Sequence, residues 1–116
     1  RRARAVPVLI PQIAPATLAA WRADPARPPP VLVDVREPWE FEHCRIEGSL
    51  SIPLRELPAR LPELPGGRDL VLVCHHGHRS QHAAMWLARN GVPGVHNLKG
   101  GVEAWALDVE PGMRRY

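Results

Sequence analysis

One short stretch of the chain combines residue types that activate a nucleophile and bind an anion. It runs Cys74-His75-His76-Gly77-His78-Arg79-Ser80. The thiolate is the nucleophilic form of cysteine, and an arginine supplies a fixed positive charge with a planar pair of donors for an oxyanion. A glycine in the middle of a loop lets the backbone approach closely or adopt a positive φ. The stretch therefore predicts a nucleophilic Cys74 in a loop that holds anions.

The elements on either side of this loop would place Cys74 where ligands usually bind. Residues 70–73 are an unbroken apolar run, which is typical of a strand buried on both faces of a parallel sheet. Beyond Ser80 the apolar residues recur with helical spacing as far as Asn90 and Gly91, which predicts a capped helix. Ligands of open α/β sheets lie beyond the carboxyl ends of the strands, and the N–H groups at a helix N-terminus favour anions. We therefore expect the loop amides to stabilise negative charge on the sulfur of Cys74.

Strand and helix patterns alternate along the rest of the chain. Residues 31–35 form a second strand of the buried kind, and Asp34 is its one polar residue. Shorter strands are expected at 8–13, where Pro11 interrupts, at 50–52 and at 95–98. Helices are expected from residue 17, as a turn at 38–42, as a proline-punctuated helix at 54–64, and at 102–107. This alternation predicts an α/β fold with a mainly parallel sheet covered on both faces.

Length and composition fit one domain in the cytoplasm. The chain has 116 residues, of which 45% are hydrophobic and 23% charged, values typical of a folded chain with one core. We expect an N-terminal arm at residues 1–7 and a single domain at 8–116. Cys44 and Cys74 lack the spacing of a disulfide framework, which favours a reducing compartment. No apolar run approaches the ~18 residues of a membrane span, and three early prolines interrupt the apolar core that an export signal needs.

The chain has a net charge of +3, and its basic residues are almost all arginine. We interpret the arginines as a solvated surface and not as a nucleic-acid site, because no aromatic-basic repeat accompanies them. A mildly positive surface would help to attract small anions.

Five blocks of sequence, in the right order, resemble the rhodanese family. They are Val33-Asp34-Val35-Arg36-Glu37 with Glu40-Phe41, Ile46-Glu47-Gly48-Ser49, Ile52-Pro53, the loop of form Cys-x-x-Gly-x-Arg-Ser, and Leu98-Lys99-Gly100-Gly101 with Ala104-Trp105. One departure is Arg45, which stands where the family usually has a histidine and is expected to affect local packing only. The resemblance covers nearly the whole chain. It implies a five-stranded, mainly parallel sheet with helices on both faces in three layers.

The resemblance also implies a sulfurtransferase that needs no cofactor. The Cys74 thiolate would take the outer sulfur of thiosulfate or another small anionic donor and hold it as a persulfide. An acceptor, namely cyanide, a thiol or a protein cysteine, would then remove that sulfur. A monomer or weak homodimer acting without nucleic acid or membrane is expected.

Roles follow for the residues around Cys74. The donor is expected to contact the remaining loop residues, which are His75, His76, Gly77, His78, Arg79 and Ser80, and Arg36 is expected to reach the pocket mouth. The loop histidines would set donor and acceptor preference. Asp34 is expected to be buried, paired with backbone amides or an arginine, and to support the site structurally.

Three other interpretations of the same residues stay open. Cys74, the loop histidines and His82 are close enough in sequence to suggest zinc, but the loop offers one cysteine and we predict no metal site. A phosphatase or arsenate reductase of this fold is the second, although four residues between Cys74 and Arg79 make a loop short for a phosphoryl group. The third is a persulfide carrier for a partner protein, with little turnover of its own.

Overall fold

The five predicted strands form one parallel sheet. We describe residues 8–116 in a computed structural model; the predicted arm at residues 1–7 lies outside the described residues. In spatial order the strands are β1, β5, β4, β2 and β3, and every neighbouring pair is parallel. Their bounds are Gln12–Ile13 for β1, Val31–Asp34 for β2, Leu50–Ser51 for β3, Leu70–Val73 for β4 and Val95–Leu98 for β5.

Four helices cover the two faces of this sheet. They are α1 at Pro15–Ala23, α2 at Pro38–His43, α3 at His78–Arg89 and α4 at Gly101–Asp108. Alternate side chains of each central strand point to opposite faces. Leu32 and Val71 pack with residues of α1 and α4, whereas Val33 and Leu72 pack with residues of α3. The predicted three-layer α/β fold is confirmed.

The central strands explain why the sheet is buried on both sides. All four residues of β4 are buried, and so are the last three of β2. A parallel strand with helices above and below has no solvated face, so it carries apolar residues at every position. Both strands end at one edge of the sheet, since Asp34 is in register with Val73. The loops after β2 and β4 therefore meet, and this edge contains the residues predicted for the site.

Two predicted elements are wrong in extent or type. The strand expected at 8–13 is limited to Gln12–Ile13, and Leu9 is 87% exposed. The helix expected at 54–64 is instead two single 3₁₀ turns, Leu54–Glu56 and Leu61–Glu63. The reason is Pro58 and Pro62, which have no backbone N–H to donate to a helical hydrogen bond. Within residues 8–116, no helix is both long enough and apolar enough to span a bilayer.

Candidate active site

The thiol of Cys74 points at the N-terminus of α3. Cys74 directly follows β4, and the chain turns through Gly77, whose φ of 97° is left-handed, before α3 begins. The Sγ accepts hydrogen bonds from the N–H of Gly77 at 3.1 Å and from that of Ser80 at 3.3 Å. N–H groups at a helix start have no partners within the helix, and the helix dipole adds positive potential there. Two main-chain donors of the kind that bind anions are therefore directed at the sulfur.

The same thiol is almost completely buried. Cys74 is 1% exposed, and its Sγ lies 3.1 Å from the hydroxyl oxygen of Ser80. A buried charge is costly unless hydrogen bonds compensate it, so the two N–H donors are essential to an ionised sulfur here. A dissolved donor reaches this sulfur only after the loop opens or the side chain rotates. Within this loop, the exposed side chains are those of His76 and His78.

Asn97 on β5 holds the loop at two points. Its side-chain Nδ2 donates to the carbonyl of Gly77 at 3.1 Å, and its Oδ1 accepts the hydroxyl proton of Ser80. Because serine has one such proton, the hydroxyl oxygen is then free to accept from the Cys74 thiol. When that thiol ionises, the hydroxyl can turn its proton to the sulfur. Sequence analysis missed Asn97, whose only signal was an amide inside a short predicted strand.

The N-terminus of α4 binds the backbone of the loop from the other side. The N–H of Val102 donates to the carbonyl of Cys74 at 2.9 Å, and the N–H of Glu103 donates to the carbonyl of His75 at 3.1 Å. A Cβ on Gly101 would overlap both of these carbonyl oxygens, and its φ is 60°. A glycine at this position therefore allows α4 to approach the loop closely. The loop therefore lies between two helix N-termini.

Arg79 forms a two-pronged ion pair with Glu40 of α2. Its Nη1 and Nη2 donate to the two carboxylate oxygens at 2.7 and 2.8 Å. Glu40 is only 4% exposed and also accepts from the N–H of Glu37 and the hydroxyl of Tyr116. The hydrogen bonds from Arg79 lower the pKa of Glu40 from 4.5 to about 2. Both terminal nitrogens of Arg79 thus donate to Glu40. Only the remaining N–H groups of its guanidinium are left to bind a sulfur donor.

Arg36 lies inside the protein and not at the mouth of the site. It pairs with Asp34 through Nε at 2.9 Å and Nη2 at 2.7 Å, and neither side chain is exposed. Its remaining donors go to the carbonyl of Cys44 and the hydroxyl of Tyr116. The expected pairing of Asp34 with an arginine is confirmed. The expectation that Arg36 reaches the pocket mouth does not fit this geometry, and the structure assigns it to the support of the site.

The three loop histidines have different surroundings. His75 is half-buried, and its ring stacks between those of His76 at 4.0 Å and Tyr116 at 3.9 Å. Burial, with the charge of His76 next, lowers the pKa of His75 below its usual value. His78 is exposed and begins α3. Within residues 8–116, no three His, Cys, Asp or Glu side chains are arranged to hold a metal ion.

A cavity of about 450 Å³ lies at the opposite end of the sheet. It is lined by residues that precede β2, β4 and β5, among them Arg27, Asp69 and Gly94. Arg27 and Asp69 already pair with each other at 2.9 Å. Because this end offers no nucleophile and ligands of such sheets bind at the carboxyl ends, size alone does not make it the reactive site. Cys74 remains the candidate nucleophile.

Comparison with known proteins identifies the family of this chain. A family model described as the rhodanese-like domain matches residues 15–108. The chain belongs to the rhodanese-like family. It is therefore a member of a sulfurtransferase family, and the resemblance of its sequence to the rhodanese family is confirmed.

Individual relatives of this rhodanese domain are similar at moderate identity. A sulfurtransferase of Allochromatium vinosum is 41% identical over 76 residues, which are 66% of this chain and 71% of that protein. The thiosulfate sulfurtransferase GlpE of Stutzerimonas stutzeri is 37% identical over 75 residues, 65% and 69% of the two chains. The matched segment spans 30% to 71% of the relative's own length across these and two further curated relatives.

The fold is similar to that of solved members of the family. The crystal structure of a rhodanese-related protein from Thermoplasma volcanium superimposes with a TM-score of 0.77 at 28% identity. The match covers 87% of this chain and 95% of that one. The five-stranded sheet with helices on both faces is therefore the architecture of the family.

Proposed function

We propose that this chain transfers a sulfane sulfur from thiosulfate or a similar anionic donor to a thiophilic acceptor through a persulfide on Cys74. The observation that carries the proposal is the pair of N–H groups, of Gly77 and Ser80, directed at the Sγ at 3.1 and 3.3 Å. Donors held in place by a helix stabilise charge on sulfur without having to reorganise during the reaction.

The reaction has two displacement steps. In the first, the Cys74 thiolate attacks the outer sulfur of thiosulfate, the S–S bond breaks, and sulfite leaves with the bonding pair. In the second, an acceptor such as cyanide attacks the outer sulfur of the persulfide, giving thiocyanate and regenerating the thiolate. Each step is a substitution at sulfur, so no cofactor, oxidant or reductant is consumed, and the kinetics are ping-pong.

Other residues of the loop act on the donor and the acceptor. The exposed side chains of His76 and His78 are the first part of the loop that an incoming anion contacts. The guanidinium of Arg79 attracts the negative charge of this anion. Ser80 supplies a hydroxyl next to the sulfur. The acceptor is a thiol, cyanide or a protein cysteine, without nucleic acid. A cytoplasmic location and a monomer or weak homodimer complete the proposal.

The burial of Cys74 favours one alternative, a carrier that keeps its persulfide until a partner protein opens the loop. A persulfide enclosed in this way is shielded from free thiols and would turn over thiosulfate slowly. A phosphatase is less well supported, because the four residues between Cys74 and Arg79 make a loop short for a phosphoryl group.

Thiosulfate:cyanide sulfur transfer by the Cys74→Ser variant tests the proposal. We expect kcat/KM to fall by about 10³-fold or more, because the nucleophile is lost, with the circular dichroism spectrum unchanged. Mass spectrometry of the wild-type protein after thiosulfate should show one added sulfur on Cys74. The Cys44→Ser variant removes the other buried thiol. It should keep both the sulfur-transfer activity and the added sulfur on Cys74.

Each outcome of this test separates the candidates. Persulfide with turnover supports the sulfurtransferase, and persulfide without turnover supports the carrier. Activity retained in Cys74→Ser, or release of phosphate from an aryl phosphate with no added sulfur, would overturn the proposal.

A further inference from the structure

Tyr116 lies against the residue that follows Cys74. Its ring stacks on that of His75 with the centroids 3.9 Å apart and the planes at 20°. His75 stacks in turn on the exposed His76, at 4.0 Å and 19°. Three rings thus continue from the interior to the outer surface of the active loop. Stacking in this way adds to the area buried and fixes ring orientation.

The hydroxyl of Tyr116 joins two ion pairs beneath the loop. It accepts from Nη1 of Arg36 at 2.8 Å and donates to Oε2 of Glu40 at 2.8 Å. The same carboxylate oxygen accepts Nη2 of Arg79, the residue before Ser80. Burial raises the pKa of Tyr116 to about 12, so the hydroxyl keeps its proton and continues to donate at neutral pH. Tyr116 therefore supports both ends of the loop. At one end it stacks directly on His75, and at the other it acts on Arg79 through Glu40.

The segment before Tyr116 is itself attached to the fold. Met113 is buried in the core cluster that contains Val102 and Ala106 of α4. Its N–H donates to the carbonyl of Glu110 at 3.0 Å, and Arg115 pairs with Glu103. The position of the tyrosine ring is therefore set by the packing of this segment against α4, the helix that also binds the loop backbone.

We propose that Tyr116 is a positioning residue for sulfur transfer. It holds the ring of His75 by stacking and the Glu40–Arg79 pair by its hydroxyl, so that the N–H groups of Gly77 and Ser80 stay directed at the sulfur. The role rests on the proposed function, since positioning has a kinetic consequence only if Cys74 carries sulfur. Tyr116 itself does not touch the sulfur or donate to it.

Two substitutions separate the stacking contribution from the hydroxyl contribution. Tyr116→Phe keeps the ring on His75 but leaves Arg36 and Glu40 without the bridging hydroxyl, and we expect kcat to fall about tenfold. Tyr116→Ala removes both contacts, and we expect a fall of about 100-fold. Since neither variant removes a group that binds the donor, the KM for thiosulfate should stay within about twofold. Arg114→Ala, a matched change at an exposed side chain of the same segment, should keep wild-type kcat.

Two further measurements do not depend on sulfur transfer. Amide hydrogen exchange at Gly77 and Ser80 should be faster in Tyr116→Ala and intermediate in Tyr116→Phe, because the loop opens more often. In an NMR titration, the pKa of His75 should move up towards its usual value in Tyr116→Ala, where its ring is no longer covered. His76, Glu103, Glu40 and Arg36 are the charged groups that also act on this titration.

The results distinguish failure of this inference from failure of the proposed function. If the wild-type protein forms no persulfide, the function is wrong, while changed exchange and titration would still show that Tyr116 positions the loop. If kcat, exchange at the two amides and the His75 titration all match wild type in Tyr116→Phe and in Tyr116→Ala, the inference is overturned. A tenfold fall in kcat for Arg114→Ala would also overturn it, because a change in the segment that leaves both contacts of Tyr116 in place would then suffice.

Discussion

The sulfur of Cys74 lies almost out of contact with water, where an unpaired charge is expensive. The N–H groups of Gly77 and Ser80 offset this cost, because a helix leaves its first donors unpaired. A nearby positive charge contributes less, since Arg79 is neutralised by Glu40. At the residue scale, the chemistry therefore depends on the direction of main-chain donors more than on the net charge of the loop.

Arg79 combines a role towards the donor with a role in the fold. In Arg79→Ala the buried carboxylate of Glu40 loses two hydrogen bonds, so we expect the free energy of unfolding to fall by about 1–3 kcal/mol. We also expect a higher KM for thiosulfate, because a positive charge beside the active loop is lost. Urea unfolding followed by fluorescence, together with steady-state kinetics, checks both effects.

The conservative variant separates the two roles of this arginine. Arg79→Lys keeps the charge but not the planar fork, so KM should be restored more fully than stability. Unaltered stability in Arg79→Ala would show that the pair with Glu40 contributes nothing to the fold.

At the scale of the elements, the site is an edge at which three strands end. The loop after β2 brings Arg36, the loop after β4 brings Cys74, and β5 itself brings Asn97. Parallel strands put all these ends on one side, and α3 and α4 both start there. Two helix N-termini therefore surround the four-residue loop 74–77, which is why its carbonyls and the sulfur of Cys74 all accept hydrogen bonds.

Gly101 is the position at which this helix contact is most easily broken. In Gly101→Ala the new Cβ overlaps the carbonyl oxygens of Cys74 and His75, and the φ of 60° disfavours any side chain. We expect the free energy of unfolding to fall by about 3 kcal/mol and sulfur transfer to fall with it. Differential scanning calorimetry and the thiosulfate:cyanide assay measure the two effects.

Gly66→Ala is the matched control for this substitution. A Cβ at Gly66 meets no other atom within 4 Å, so stability should change by less than about 0.5 kcal/mol. Equal stability of the Gly101→Ala and wild-type proteins would contradict the close approach of α4.

At the scale of the whole molecule, Glu40 makes stability depend on pH. Its pKa is about 2 in the folded protein against an ordinary 4.5, so its contribution is present above pH 4.5 and is lost as the pH falls towards 2. From this group alone we expect the free energy of unfolding to drop by about 2 kcal/mol between about pH 7 and about pH 3. Urea unfolding across this range measures the drop.

Two glutamine variants assign this acid sensitivity to its source. Glu40→Gln should be less stable at neutral pH and should show a smaller drop towards pH 3, because its side chain no longer titrates. Glu63→Gln, at an exposed pair with Arg60, should leave most of the drop in place. An unchanged drop in Glu40→Gln would contradict the assignment.

The sequence by itself determined the order and type of most elements, and it singled out the candidate nucleophile. Apolar runs at β2 and β4 mark strands buried on both faces, and the Cys-x-x-Gly-x-Arg-Ser loop between strand and helix marks the nucleophile, because these signals are local in the chain. The helix expected at 54–64 failed for a local reason too: its prolines counted for more than its spaced leucines.

Only the tertiary structure decided which partners the polar residues take. Arg36 turns inwards to Asp34, Arg79 binds Glu40 from another helix, Asn97 holds the loop from β5, and Tyr116 closes over His75. Apart from the pair of Arg36 with Asp34, these contacts join residues that lie far apart along the chain. The separation is 17 positions for the hydrogen bond between Asn97 and Ser80 and 76 positions for that between Tyr116 and Glu40. Spacing carries no information at such separations, because the distance between two side chains is then set by how the sheet and helices pack.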